Sequence, residues 1–409
     1  MKKDFFVIIL GSDDNAYGDA RLVYEKYSIK PLLLCSRALR ATKYSSIFDI
    51  KVIPDLDSRD VFAKALKEEL LKKSEEYEKI IVIPCSDYYL YMLVDYYDTF
   101  DGLIANRFIS RELMERVESK EAFYSLCEEF GIPYPKTYVI RENEREGGLL
   151  RSGINFPLIV KPENSNATDY LNINFEGKKK VYFFRDNDEY EKIAKSLSEL
   201  GYKGALIAQE YIEGEDSCMR TINCYSDLSG KVVAASLGQP VLEEYSPKTL
   251  GNYAAIISRY DEEIYRMVTE FLNKIGYVGF SNFDIKIDKN TGKPYFFEIN
   301  PRLGRSSFFV HAAGLNMLSL LIDEVVYSKT CPCVYTDKTA LWSVVPRIII
   351  RRYVSDKKIR AEALSLWNQG KYERTLLWRK DMNIRRRITM KRHSAGYVKA
   401  YHKYYQKRT

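Results

Sequence analysis

Three oxygen-bearing side chains stand at spacings that could grip a cation: Asp284, Glu298 and Asn300, with Arg302 two positions further on. They lie in GFSNFDIKIDKNTGKPYFFEINPRLGRSS, where two alternating runs flank Lys289-Asn-Thr-Gly-Lys293, a strong hairpin signal. A hairpin symmetric about Thr291 sets Asp284 opposite Glu298 and Asn282 opposite Asn300. Period 2 places Phe296, Glu298, Asn300 and Arg302 on one strand face, and Phe283, Ile285, Ile287, Phe297 and Ile299 on the core face. Two carboxylates directly opposed destabilise a sheet, and a divalent cation removes that penalty. Two acids and an amide suit Mg²⁺, which keeps further oxygen ligands from water or phosphate. An exposed face with Lys286 compensating the charge accounts for the same residues.

Two lysines could meet phosphate. Lys161 closes the apolar run FPLIVKP, and Lys120 opens a helical stretch whose apolar stripe (Ala122, Phe123, Leu126, Cys127, Phe130) leaves it on the polar side. Solvated surface lysines would carry the same local signature. The segment AQEYIEGED, ending at Asp216, could offer backbone groups at Glu210 and Ile212 to an adenine and a carboxylate to a ribose. An ordinary strand end would look alike.

Behind these residues the chain changes character along its length. FFVIIL, PLLLCS and IIVIPCSD read as buried strands, alternating with helical stretches at Arg21 to Tyr27 and within VFAKALKEELLKKSEEYEK. This βαβα rhythm predicts a parallel, doubly wound α/β domain with ligands outside the carboxyl ends of its strands. The loops after Leu10 and Pro84 then face a ligand, which makes Asp13, Asn15 and Asp87 candidates, although such residues also simply form turns. A helix from Lys120 to Phe130 is expected, capped by Ser119 and stopped by Gly131. A second runs from Asp261 to Ile275 and closes at Gly276. The middle of the chain reads as α+β with mostly antiparallel strands, and from Asp337 onward the pattern is helical and basic. The expected division is 1–115, 116–205, 206–336 and 337–409.

Hydrophobic content of 46% with 29% charged residues is that of a soluble globular protein. Phe5 to Leu10 is too short an apolar run for a signal peptide, and nothing approaches the roughly 20 residues of a membrane helix. Seven scattered cysteines, with Cys331-Pro-Cys333 as the one close pair, match no common zinc or redox motif, so a reduced, cytoplasmic protein is expected. From Arg347 on, 19 Lys+Arg face 4 Asp+Glu, while the chain as a whole carries +7. That basic tail suits an anionic partner or surface, and equally a solvated helical region.

In order and spacing, Lys120, Lys161, Gln209 to Asp216, Asp284 and Glu298-Ile-Asn300 resemble the ATP-grasp superfamily, over roughly residues 1 to 335. LGSDDNAYGDAR, FYSLCEEFGIPYPKT, DSCMRTINCY, GNYAAI and EINPRLGRSSFFV are further similar to the D-aspartate ligases of bacterial cell-wall synthesis. The resemblance implies a fold holding ATP between two α+β subdomains and an ADP-forming ligase that joins a carboxylate to an amine through an acyl phosphate. The implied substrates are D-aspartate and the lysine side chain of a peptidoglycan precursor, with ATP and Mg²⁺. It implies Lys120 and Lys161 on the phosphates, the main chain of Glu210 and Ile212 on the adenine, and Asp216 on the ribose. Asp284, Glu298 and Asn300 would hold Mg²⁺, Arg302 would stabilise the phosphate or tetrahedral adduct, and Arg305, Ser306 and Ser307 would form the carboxylate pocket. One departure stands out: ENSNATDYLNINFEGKKK lacks the glycine-rich phosphate lid common in that superfamily.

Three other readings remain open at this level. The same fold could ligate another amino acid or amine. An ATP-grasp phosphotransferase would need a catalytic histidine, and His311, His393 and His402 lie in no phospho-histidine context. A non-enzymatic binder could use RKDMNIRRRITMKRH, with Trp378 and Tyr397, against phosphates.

Overall fold

The computed structural model describes residues 2–163, 170, 172–179, 181–247, 249–330 and 332–405, without the side chain of residue 118. Residues 164–169, 171 and 180 of the expected lid segment, and Cys331, lie outside the described residues. The chain forms two compact units, one of residues 1–118, 215–285 and 299–409 and the other of residues 119–214 and 286–298.

The first unit begins with β1 (Lys3–Leu10), α1 (Asp14–Tyr27), β2 (Leu32–Cys35), β3 (Asp49–Val52), α2 (Arg59–Ser74), β4 (Tyr77–Pro84), α3 (Asp87–Asp95) and α4 (Arg111–Glu118). Its strands form a parallel sheet in the order β3-β2-β1-β4, as the alternation of strands and helices predicts. Helix α1 starts seven residues earlier than expected. The Asp13 carboxylate accepts from the Ala16 N–H and caps the first turn, so the polar stretch read as a loop is helical. Gly18 inside that helix serves close packing: a Cβ there would lie 3.1 Å from Thr375 Cγ2 and 3.2 Å from Phe308.

The second unit holds α5 (Lys120–Glu129), β5 (Thr137–Ile140), α6 (Gly148–Ser152), β6 (Leu158–Pro162), β7 (Tyr182–Phe184), α7 (Asn187–Glu199) and β8 (Leu206–Glu210). The strands pair antiparallel in the order β5-β8-β6-β7. Ser119 caps α5 through the Ala122 N–H, and Gly131 follows it with φ +66°, as expected. Tyr170, Tyr190 and Leu197 are among the residues of the core beneath this sheet.

The chain returns to the first unit with β9 (Met219–Ser226), β10 (Val232–Glu243), β11 (Tyr253–Arg259), α8 (Glu262–Lys274) and β12 (Gly279–Ile287), then β13 (Pro294–Asn300). Asp261 caps α8 and Gly276 closes it. The tip joining β12 and β13 belongs to the second unit, where Asp288 accepts from the N–H groups of Asn290 and Thr291 and Gly292 takes φ +73°. Phe296 is buried and Phe297 only half-buried, the reverse of the expected facing. Residues of the same unit lie against this strand: the Phe296 N–H donates to Pro133 O, and Tyr124 on α5 donates to Phe297 O.

The remaining elements are α9 (Phe308–Ala312), α10 (Met317–Tyr327), β14 (Val334–Tyr335), β15 (Leu341–Ser343), α11 (Arg347–Tyr353), α12 (Lys357–Asn368), β16 (Tyr372–Glu373) and α13 (Ile384–Tyr404). The carboxyl-terminal region is mainly helical, as read, but it opens with a strand. Leu341, Trp342 and Ser343 are all buried and pair with β11, continuing the large sheet β13-β12-β9-β10-β11-β15-β16. Trp342 sits in the main core and donates Nε1–H to Thr375 Oγ1 at 2.8 Å.

The same region is locked to the first fifty residues. Asp381 accepts from the Tyr17 hydroxyl (2.9 Å), the Ser45 hydroxyl (2.7 Å) and the Ser46 N–H (2.8 Å). Arg386 lies 3.2 Å from that carboxylate and donates to the carbonyls of Ala41 and Lys43. Among the described residues, no helix is long and apolar enough to cross a membrane.

Candidate active site

In the second unit the phosphate-binding candidates converge. Lys161 projects from β6, where its Nζ donates to Gln209 Oε1 at 3.2 Å on the neighbouring strand β8. Gln209 is itself fixed, donating Nε2–H to the Tyr124 hydroxyl at 2.7 Å and to Thr137 Oγ1 at 3.1 Å. Burial pushes the Lys161 ammonium down to about 7, the Lys120 charge adds to that, and Glu298 opposes it. Lys120, at the first turn of α5, donates to Glu298 Oε2 at 2.8 Å. Two ammonium groups and one carboxylate therefore share one neighbourhood, and an anion arriving there would relieve the repulsion between the lysines.

Glu210 ends β8 with both its N–H and its carboxylate engaged by the main chain of Lys136. Ile212 follows outside any regular element, its side chain buried.

The first unit carries the remaining candidates. Asp216 is buried, and its Oδ2 accepts from the Glu243 N–H (3.3 Å) and the Tyr245 hydroxyl (3.2 Å). Asp284 is half-buried and accepts from the Tyr253 hydroxyl at 3.0 Å. Asn300 contacts Asn282, whose Nδ2 is anchored on Thr221 Oγ1 at 2.8 Å. Gly304 is required beside this pair, because a Cβ there would fall 2.9 Å from Asn282 Oδ1.

Arg302 and Arg305 stand on the loop after β13, each with an acidic partner. Arg302 donates Nη2–H to Asp87 Oδ2 at 2.7 Å, at the start of α3, and Nη1–H to Leu303 O. Arg305 pairs with the buried Glu244 at 3.2 Å. Asp13 lies in the field of both guanidiniums. Burial raises its carboxyl above the usual range, the Ala16 N–H lowers it, Asp14 raises it, and Arg305 and Arg302 lower it again. Asp13 also lines a pocket of about 200 Å³ with Gly11, Ser12, Arg37, Cys85 and Ser86, at the carboxyl ends of β1, β2 and β4. The expected ligand edge of the parallel sheet thus has a cavity.

Other candidates are placed differently from their reading as open loop residues. Asn15 is buried in the first turn of α1, with no hydrogen-bond partner for its Nδ2 among the described residues. Ser306 and Ser307 are buried at the entry to α9, in a tight turn closed by bonds from Ser307 N to Gly304 O and from Phe309 N to Ser306 O.

Four side chains near Arg305 were not read from the sequence as its neighbours. Glu244 is the direct partner, and Tyr397 of α13 faces Glu244 through its hydroxyl. Asp14 and His393 feel the Arg305 charge as well. No local pattern marks these residues, since 14, 244, 305 and 393–397 meet only in the folded chain.

Among the described residues, no three His, Cys, Asp or Glu side chains gather as a metal cage. The candidate metal ligands are two acids and an amide, drawn from β12 and β13.

Known proteins share sequence and fold with this chain. Residues 117–306 match the ATP-grasp domain family. Over 416 aligned residues the chain is 36% identical to D-aspartate ligase of Enterococcus faecium (strain Aus0004), covering 98% of this chain and 97% of that protein. The fold is shared with an L-amino acid ligase from Bacillus licheniformis (TM-score 0.54, 16% identity, 80% of this chain and 75% of that one). It is shared too with N5-carboxyaminoimidazole synthetase from Staphylococcus aureus complexed with ADP (TM-score 0.58, 13% identity, 83% and 82%). With its two clustered lysines, its oxygen-bearing strand pair and this end-to-end likeness, the chain belongs to the ATP-grasp superfamily in the family of D-aspartate ligase, and it is an ATP-dependent carboxylate–amine ligase.

Proposed function

We propose that the enzyme joins the β-carboxylate of D-aspartate to the side-chain amine of the lysine in a peptidoglycan precursor, UDP-MurNAc-pentapeptide, acting in the cytoplasm and converting ATP to ADP and phosphate. The observation that carries this reading is the end-to-end similarity to a D-aspartate ligase. The Arg305 loop supports it, because a guanidinium binds a carboxylate bidentately and a dicarboxylic amino acid keeps one carboxylate for binding while the other reacts.

A carboxylate is a poor electrophile, so its oxygen first attacks the γ-phosphorus of ATP, with ADP leaving. The lysine amine then attacks the acyl carbon, phosphate leaves, and the amine loses a proton. Both steps depend on positioning and charge neutralisation more than on covalent help from the protein. We assign Lys120 and Lys161 to the ATP phosphates. Lys161, whose ammonium is destabilised by burial, gains most from a transferring phosphoryl group. The main chain at Glu210 and Ile212 is assigned to the adenine and Asp216 to the ribose. Arg302 is assigned to the developing charge on the transferred phosphate and the tetrahedral adduct. Arg305, Ser306 and Ser307, with Asp13 and Asn15, are assigned to the amino acid.

Asp284, Glu298 and Asn300 offer hard oxygen donors of the kind Mg²⁺ takes, and the Glu298 carboxylate is already held beside a cationic group. We assign Mg²⁺ to these three residues. When bound, the ion would supply Lewis-acid neutralisation of the phosphate oxygens.

The test is ADP release with ATP and Mg²⁺, comparing D-Asp, L-Asp, D-Asn and Gly, with and without the lysine-containing precursor. Release that needs both D-Asp and the precursor, with a mass gain of one aspartyl group, is the expected result. Release with a different amino acid would keep the ligase and discard D-aspartate.

A further inference from the structure

Helix α13 buries one side and leaves the other side unusual. Its inner stripe is Arg386, Met390, Tyr397 and Tyr401. On the outer stripe, at alternating steps of four and three residues, stand Ile384, Ile388, Lys391, Ala395, Val398 and His402, all exposed. Ile384 is 79% exposed, Ile388 49% and Val398 42%. Ile384, Ile388 and Val398 thus lie along one exposed stripe of the helix. Arg385, Arg387, Arg392 and Lys399 flank the stripe, and the helix contains no acidic residue from Ile384 to Tyr404.

The surface continues onto a second element of the same unit. Helix α11 also lacks acidic residues and exposes Ile348 (45%) beside Arg351 and Arg352. Ile348, Arg352, Tyr353, Val398, Lys399 and His402 line a shallow groove of about 290 Å³ shared by the two helices. Aliphatic side chains and cations are therefore interleaved over both helices, with a groove along their junction.

We propose that this face of α11 and α13 docks on an anionic lipid bilayer, with α13 lying in the headgroup plane. The two components have separate tasks. Cations concentrate near a negatively charged leaflet, and aliphatic side chains leave water by entering the acyl boundary. A nucleic acid would engage the cations and leave Ile384, Ile388 and Val398 in water, since sequence-tolerant contacts to bases use aromatic platforms. The charge itself is concentrated here: the chain from Arg347 on holds 19 basic and 4 acidic residues.

The experiment is co-sedimentation of the full chain with phosphatidylcholine vesicles, with and without phosphatidylglycerol. The expected result is binding to the anionic vesicles only, falling roughly tenfold as added NaCl shortens the screening length. The double variants Ile384→Ser/Ile388→Ser and Arg385→Gln/Arg387→Gln should each weaken binding, with thermal melts unchanged because all four side chains face solvent. Absence of binding to both vesicle types, or equal binding to both, overturns the proposal. So does unaltered binding of the isoleucine variant, which would leave a purely electrostatic face. A single-stranded oligonucleotide that binds the wild type and the isoleucine variant alike, while vesicles do not bind, would make this a nucleic-acid surface instead.

Discussion

The Lys120 ammonium lies 2.8 Å from the Glu298 carboxylate, and both charges act on Lys161. The three residues come from the first turn of α5, from β6 and from β13. Their meeting defines a compact electrostatic balance in which one carboxylate serves two lysines.

Lys161 should take up a proton when ATP binds. Burial lowers its ammonium to about 7, so above that pH the group is largely neutral, and phosphate oxygens would favour the charged form. Calorimetry in buffers of different ionisation enthalpy should show uptake near pH 8 and little near pH 6, with ATP affinity falling as pH rises through this window. Lys161→Arg keeps the charge at every pH and should abolish the uptake.

Glu298→Gln should separate catalysis from stability. The ion pair with Lys120 is partly exposed, so its loss should cost about 1 kcal/mol or less. Turnover should fall on the order of a hundredfold, the scale of removing one charge-stabilising group from an active site. Denaturant melts and ADP release on the same sample decide the matter, and a destabilised but active variant would contradict it.

At Arg305 the expected effect lies in substrate affinity. Arg305→Lys removes the bidentate geometry, a charged hydrogen-bond loss of about 1.5–3 kcal/mol, or roughly ten- to a hundredfold in KM for the amino acid. KM for ATP should hardly change. Tyr397→Phe, which removes the hydroxyl facing Glu244, should give a smaller shift of the same kind. Equal shifts in both KM values would point to general disruption instead.

Asp381→Asn should be among the most damaging single substitutions. Asp381 and Arg386 are both 0% exposed, and losing one charge strands the other, which costs about 3–5 kcal/mol. Urea unfolding should show this loss. Deletion after residue 336 should fail to give a folded protein, because it removes β15 from the large sheet along with Trp342 from the core.

Local chemistry was the legible part of the sequence. The Ser119 cap, its stop at Gly131 and the close of the second helix at Gly276 carry their signals within a few residues, and each formed as read, whereas the hairpin turn is closed by the Asp288–Lys293 pair and so is not centred on Thr291. Asp13 carried such a signal too, but as a cap it implied a helix where the sequence suggested a loop. Phe296 and Phe297 could not be sorted by alternation alone, since Phe296 is buried on the face that also carries the half-exposed Glu298. Strand β15 was hidden for a related reason: three residues are too few to show a period, and only the edge of β11 makes them a strand. The Arg305 partners were out of reach, because Glu244 and Tyr397 become its neighbours only through the complete tertiary structure.

The lock of Asp381 and Arg386 onto residues 41–46 also sets a timetable for biosynthesis. The Ser46 N–H finds its acceptor 335 residues later in the chain. At about 5–20 residues per second, the ribosome takes on the order of tens of seconds to cover that stretch. Throughout that interval the nascent amino-terminal sheet stands without the carboxylate that completes it, so the earliest-made part of this enzyme is among the last to be finished.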